Sequence, residues 1–408
     1  MGPACFLILG AAGLRAVAIS LSSVILSVYL AQAGFTPFQI AFAVSLGLCG
    51  CAAATFIVTF AGDRFGRRIS VAFVGLLMAA GGLAAALSRS EAVLFTAFFI
   101  GMVNGMGRDR GASMTLDQIM LAQVTDSRHR TQTLAWYSLV VDSGNAVGAF
   151  LGIIPALLRE RAGFSLLGSY QATWIFYGAL VFLSGVLVLL IPRRVELGHV
   201  QSAPEQAAKA ITQGKISAES RPLIRQFALI SGLDSFGGGF LSTALLSYWF
   251  FQRFGVSEAF LGPFFLAARL ANGISHLGAA WLAKRIGLVN TMVFTHLPSS
   301  LILMLVPLSP TLPIAVILFL LREALVEMDL PTRQSYIVAI VKEEERTLAA
   351  GSATLARNLA WAFSSMVAAP VIKALSLPAC IYIGSSIKVV YDVLMYRAFR
   401  HVKPPEEA

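Results

Sequence analysis

Two stretches of the chain hold charged residues in surroundings that make them conspicuous. Residues 107–118, GRDRGASMTLDQ, carry Arg108, Asp109, Arg110 and Asp117. Residues 321–336, LREALVEMDLPTRQSY, carry Arg322, Glu323, Glu327, Asp329 and Arg333. Asp142, Asp234, Arg357, Arg15 and Arg269 stand alone among apolar neighbours. Guanidinium and carboxylate groups at these spacings could pair with one another, bind an ionic solute, or pass a proton. At the centre of a membrane helix one isolated charge costs about 2.5–3.5 kcal/mol even on a lenient insertion scale. Seven arginines and seven acids of this kind must therefore face inward, pair, or line a water-filled cavity.

The elements that position them are membrane helices. Of 408 residues, 57% are hydrophobic and 13% charged, against about 25% charged in ordinary soluble domains. A spanning helix needs about 20 mostly apolar residues. Such runs fall at 5–32, 38–61, 69–88, 92–123, 131–158, 168–191, 223–252, 258–282, 289–307, 312–340, 347–374 and 377–398, which makes twelve. VAFVGLLMAAGGLAAAL does not alternate, which argues against the strands of a membrane barrel. The expected fold is an all-α membrane protein. The N-terminus, with no basic n-region, reads as part of the first helix. Cys5, Cys49, Cys51 and Cys380 all fall in apolar runs and read as small buried hydrophobes, with neither a disulfide framework nor a metal site.

Charge placement gives orientation. With the N-terminus inside, the loops at 62–68, 124–130, 193–225, 283–288 and 341–346 and the tail from 397 hold 18 Lys and Arg. The outer loops hold five: Arg89, Arg159, Arg161, Arg253 and Lys373. Cytoplasmic loops carry the Lys/Arg excess, so both termini are expected in the cytoplasm, with the plasma (inner) membrane as the location. The net charge of +10 is a topology signal, and no nucleic-acid partner is expected.

The chain repeats itself. At an offset of 216, Gln118 meets Gln334, Arg130 meets Arg346 and Thr131 meets Thr347. At an offset of 221, Gly34 meets Gly255 and Gly66 meets Gly287. The expected organisation is a six-helix half at 1–191, a cytoplasmic linker at 192–221 with eight charges, a second half at 222–400, and a tail at 401–408. Internal repeats in a polytopic protein mark secondary transporters, with the binding site near the midplane.

On this pattern the chain resembles the major facilitator superfamily. That family's signature between helices two and three is Gly-x-x-x-Asp-Arg-x-Gly-Arg-Arg. Asp63, Arg64, Gly66, Arg67 and Arg68 match it, and Thr59 replaces the first glycine. The resemblance implies a cytoplasmic gate latch. An acid at a helix end can pair with cations or a helix N-terminus in one conformation and release them in another. Helix five, DSGNAVGAFLGIIP, is similar to the antiporter motif of drug exporters through Gly144, Gly148 and Gly152, although Ala149 and Ile153 depart from it. Small residues at spacing four also simply permit close packing, which is the favoured reading.

Depth ranks the charges. Arg110 lies 14 residues before Val124 and Glu327 lies 14 before Val341, about 21 Å at 1.5 Å per residue. Glu327 is therefore the first choice for a coupling acid, with Asp329 and Asp109 behind it. Pro331 should break the hydrogen-bond ladder of helix ten. His276 and His296 read as polar groups satisfied by a partner, and YWFF at 248–251 as an outer interfacial belt. No phosphate loop, HExxH or GxSxG occurs, so neither an enzyme nor a cofactor is expected. The expected function is a secondary active transporter, a monomer in the bilayer that moves a small-molecule substrate by alternating access. Proton-coupled export (antiport, efflux) leads; uptake or uniport of an organic anion is the alternative. A transport-inactive scaffold or receptor on the same fold is the reading from another class.

Overall fold

The computed structural model describes residues 2–109, 111–125, 129–192, 217, 220–342 and 345–402; within these, the side chains of 59–65, 112, 115, 122, 130, 131, 277, 347, 362 and 365 stand outside the description. The linker, all but its ends, and the tail beyond 402 lie outside the described residues as well.

The described residues form sixteen α-helices, which group into the twelve expected spans. Spans one to three are α1 (Pro3–Gln32), α2 (Pro37–Phe65) and α3 (Arg67–Leu87). Span four is α4 (Glu91–Ile100) with α5 (Ala112–Val124), and span five is α6 (Arg130–Leu151) with α7 (Ile154–Ala162). Span six is α8 (Leu166–Leu189), and span seven is α9 (Ser220–Gly239) with α10 (Thr243–Phe254). Spans eight and nine are α11 (Glu258–Ile286) and α12 (Leu288–Leu305). Span ten is α13 (Leu312–Val326) with α14 (Asp329–Ala339), and the last two are α15 (Arg346–Ala374) and α16 (Leu377–Phe399). Among the described residues, nine of the spans are long and apolar enough to cross a membrane. Spans four, eight and ten fall short, and two of them carry the charge-rich stretches.

Local sequence sets the helix ends. Thr36 and Gln39 close a reciprocal capping box, with Pro37 at the first helical position of α2. Ser165, Ser242 and Ser376 each accept a backbone N–H three residues on and start α8, α10 and α16. The repeat is visible in the backbone. Gly34 and Gly255 turn with φ of +91° and +65°, and Gly66 and Gly287 both with +86°, values that L side chains rarely adopt.

Span four corrects the expectation of one continuous helix over 92–123. Residues 101–109 and 111 are irregular, because α2 leaves room for backbone there. A Cβ at Gly47 would lie 1.9 Å from the Val103 carbonyl oxygen, and one at Gly50 1.9 Å from that of Phe99. Irregular backbone at membrane depth is tolerated only where its polar groups are met. Here Gly105 O accepts the Ala244 N–H at 2.9 Å, Met106 O accepts the Thr243 hydroxyl at 3.0 Å, and Asn104 Oδ1 accepts the Met106 N–H at 3.1 Å. Span seven breaks at 240–242, after GGG, so its glycines serve close packing: a Cβ at Gly237 would sit 2.8 Å from the Gly384 oxygen. Span ten breaks at Glu327–Met328. Pro331 has no N–H for the Glu327 carbonyl, which instead takes a long bond from Leu330 N at 3.4 Å.

Two compact units emerge. The first joins Met1–Ser202 with Ser242–Leu266 and Ser365–Ala374. It holds an apolar core of Ile8, Leu116, Met120, Tyr137 and Val188 among others. Within it the glycine face of α6 meets α1: a Cβ at Gly144 would lie 2.8 Å from Gly13 O, and one at Gly148 2.2 Å from Val17 O. Close packing therefore accounts for the spacing-four glycines. The YWFF segment is a correction. Tyr248, Trp249 and Phe250 are buried, and Trp249, Phe250, Phe254 and Phe264 stack edge to face. They form core, not an interfacial belt. The second unit, Ala203–Leu241, Ala267–Ser364 and Leu375–Ala408, packs Phe227, Met292, Tyr336, Tyr391 and Phe399 into its own core.

Candidate functional site

Each unit buries a charged cluster among the described residues. In the first, the centre is Arg15 of α1, 2% exposed. Its Nε donates to Asp109 Oδ2 at 2.7 Å, its Nη2 to Asp117 Oδ2, and its Nη1 to Ser184 Oγ at 3.4 Å. Ser184 in turn donates to the Ala11 carbonyl at 2.7 Å, which fixes the arginine's approach. Tyr137 of α6 donates its hydroxyl to Asp117 Oδ2 at 3.3 Å. Asp117 has no exposed surface, and its Oδ1 has no hydrogen-bond partner among the described residues. Asp109 stands in the irregular segment of span four, where its Oδ1 accepts the Gly111 N–H at 3.0 Å. One guanidinium thus serves two carboxylates at the break in a membrane helix, the kind of place where transporters bind solutes and coupling ions.

The second cluster draws on five helices. Asp234 of α9 accepts Lys388 Nζ of α16 at 2.5 Å and Arg333 Nη1 of α14 at 2.9 Å. Arg333 also pairs with Asp329 at 3.2 Å, one turn earlier. His296 of α12 has Nε2 3.5 Å from Asp234 Oδ1 and Nδ1 3.0 Å from both oxygens of Asp392. The Tyr391 ring stands edge-on to the imidazole at 5.4 Å. Arg357 of α15 donates to Ser235 Oγ at 3.1 Å and lies over the Trp361 ring. It makes no carboxylate contact among the described residues. Buried charges persist only when paired and hydrogen-bonded, and the alternation of sign here meets that need.

The clusters bring together Asp109 in the first unit and Asp234, Asp329, Arg333 and Arg357 in the second. The other sequence candidates stand elsewhere. Arg322 pairs with its neighbour Glu323, and Glu323 also accepts Asn272 Nδ2 at 2.7 Å. Glu327 is half-buried and caps the C-terminal end of α13 at the break. Arg108 is half-buried. Asp142 is exposed on α6 and has no ion pair among the described residues. Arg110 and the side chains of Asp63 and Arg64 lie outside the described residues, so the gate motif is seen only in part. Gly66 makes the turn, Arg67 is buried, and Arg68 donates to the Ile191 carbonyl. His276 meets no polar partner among the described residues, whereas His296 meets two.

Sequence reasoning missed Lys388, Tyr391 and Asp392. Their signal was present: a Lys and an Asp four apart in SSIKVVYDVLMY, inside an apolar run.

The model of the family described as Major Facilitator Superfamily matches residues 8–365. The chain belongs to the Major Facilitator Superfamily. An uncharacterized membrane protein of Saccharomyces cerevisiae is 23% identical over 406 residues, covering 94% of this chain and 91% of that one. Among solved structures, a D-xylose-proton symporter superposes with a TM-score of 0.73 at 16% identity, covering 98% of each chain. The human organic anion transporter MFSD10 superposes at 0.61 with 19% identity, covering 97% of this chain and 100% of its own. At these identities the likeness establishes fold: twelve helices in two halves of a multi-pass integral membrane protein. Family and fold are those of transporters of small molecules.

Proposed function

We propose that this superfamily member is a proton-coupled secondary transporter that exports a small solute by antiport. One observation carries the reading: buried Arg15 shared between Asp109 and Asp117 at the break in span four. A carboxylate with an unmet oxygen in a dry site favours its neutral form, and a guanidinium beside it favours the ionised form. Any movement of Arg15 relative to Asp117 shifts that balance. A site that opens to one side and then the other would load and release a proton. The glycine series of span five is accounted for by close packing against α1 and does not set the direction of transport, which the flux measurement decides.

The test begins with a thermal-stability screen of purified protein against metabolites and toxic compounds, since a specific ligand raises apparent stability. With the solute found, Asp117→Asn should keep solute exchange at equal concentration, which requires no deprotonation, and lose accumulation driven by a pH gradient. Loss of both together, in a folded variant, would make Asp117 a structural group. A second reading, an organic anion as solute, is favoured by Arg357, whose guanidinium donates to a neutral hydroxyl. Stabilisation by anions in wild type but not in Arg357→Gln would support it.

The same reading sets the halves at 1–191 and 222–400, joined by a cytoplasmic linker at 192–221, with both termini inside. In a cysteine-free background, an impermeant maleimide should label Ala162→Cys from outside and spare Glu205→Cys. The reverse pattern would overturn the orientation.

A further inference from the structure

We propose that His296 is a proton-binding site, held as an imidazolium between Asp392 and Asp234. Neutral imidazole has one N–H and one lone pair, while carboxylates only accept. Here a carboxylate stands at each ring nitrogen: Asp392 3.0 Å from Nδ1 and Asp234 Oδ1 3.5 Å from Nε2. In either neutral tautomer one lone pair would face a carboxylate oxygen. A second proton on the ring removes that conflict.

Asp392 makes the need acute. It has no exposed surface, and His296 is its sole polar partner among the described residues. A buried carboxylate is costly without an opposite charge, and a neutral ring supplies none. Asp234 is differently placed, since Lys388 and Arg333 both donate to it. The imidazole meets Asp234 on α9 and Tyr391 and Asp392 on α16, and the rest of the cluster is Asp329 and Arg333 on α14, Lys388 on α16, and Arg357 on α15. On α13, Arg322 and Glu323 are engaged with each other and Glu323 with Asn272. With neutral imidazole the three carboxylates balance Arg333, Lys388 and Arg357. The imidazolium adds one positive charge, which is the bound proton. Transfer from Nδ1 to an Asp392 oxygen breaks one N–H bond and forms one O–H bond. It leaves a neutral ring with its remaining N–H directed to Asp234, so the proton passes without stranding a charge.

A role for this proton in transport rests on the proton-coupled reading above, but its presence can be read without transport. The experiment is nitrogen-15 NMR of histidine-labelled, purified full-length protein in nanodiscs. His129, His199, His276 and His401 are substituted so that one imidazole remains. The expected result is a doubly protonated ring at pH 7, and its loss to a neutral ring in Asp392→Asn at the same pH. A neutral tautomer in wild type at pH 7 would overturn the site. So would an imidazolium that survives in Asp392→Asn, since Asp392 would then not hold it. Unfolding of that variant, checked by gel filtration, would leave the wild-type spectrum to decide alone. An imidazolium in a protein whose transport ignores a pH gradient would retain the site and remove the coupling.

Discussion

Asp234→Ala is expected to lower stability by about 3–5 kcal/mol, the cost of removing one partner from a buried ion pair. The reason lies in what it leaves behind. Lys388 and Arg333 both donate to Asp234, and all three are buried. Without the carboxylate, Lys388 loses its only ion-pair partner among the described residues. Arg333 keeps Asp329 at 3.2 Å. The loss should therefore be uneven, with most of it at Lys388. Adding Lys388→Met to Asp234→Ala should recover more than half of the deficit, because it removes the stranded ammonium and fills its space with apolar atoms. Arg333→Met in the same background should recover less. Denaturant unfolding in detergent, run as a double-mutant cycle, reads these differences. Asp234→Ala within about 0.5 kcal/mol of wild type, the range of an ordinary surface change, would show that the cluster is solvated.

Arg15→Met should abolish transport driven by a pH gradient and also destabilise the protein, since two carboxylates then lose their guanidinium. The informative variant removes the whole group. Arg15→Met with Asp109→Asn and Asp117→Leu removes all three charges of this group, and the amide introduced by Asp109→Asn still offers an oxygen to the Gly111 N–H. Replacing a buried ionic triad by apolar groups of similar size is often neutral or stabilising, by about 1–4 kcal/mol. The triple variant should fold at least as stably as Arg15→Met and remain inactive in gradient-driven transport. Stability and function would then part. A stable triple variant that still accumulates solute down a proton gradient would assign the cluster to helix packing alone.

How much of the structure is legible in the sequence differs from element to element. The spans are legible because lipid demands about 20 apolar residues each, and nothing else in the chain competes with that signal. Gly34 with Gly255, and Gly66 with Gly287, were legible as repeat partners, and all four adopt positive φ. Pro331 was legible because a missing N–H acts locally. The break in span four was not. It depends on Gly47 and Gly50 in another helix admitting the 99–103 backbone, a tertiary fact no local pattern records. Tyr248, Trp249 and Phe250 misled for a similar reason: aromatic residues near a span's end suit an interface, and only packing shows that they are core. Depth placed Glu327 first, yet the clusters gather around Arg15 and Asp234. Which charge is shared between several partners is set by helices distant in sequence. His296 and Asp392 are 96 residues apart, and neither position alone announces the other.

One measurement bears most directly on proton-coupled antiport. Proteoliposomes with an acidic lumen, a pH-sensitive dye inside, and the protein's cytoplasmic face outward are given the solute identified by the thermal screen. Wild type should accumulate the solute while the lumen turns alkaline at a rate proportional to uptake. Asp117→Asn should do neither. Uptake that proceeds equally with and without the pH gradient, and with no change in lumenal pH, would contradict the account.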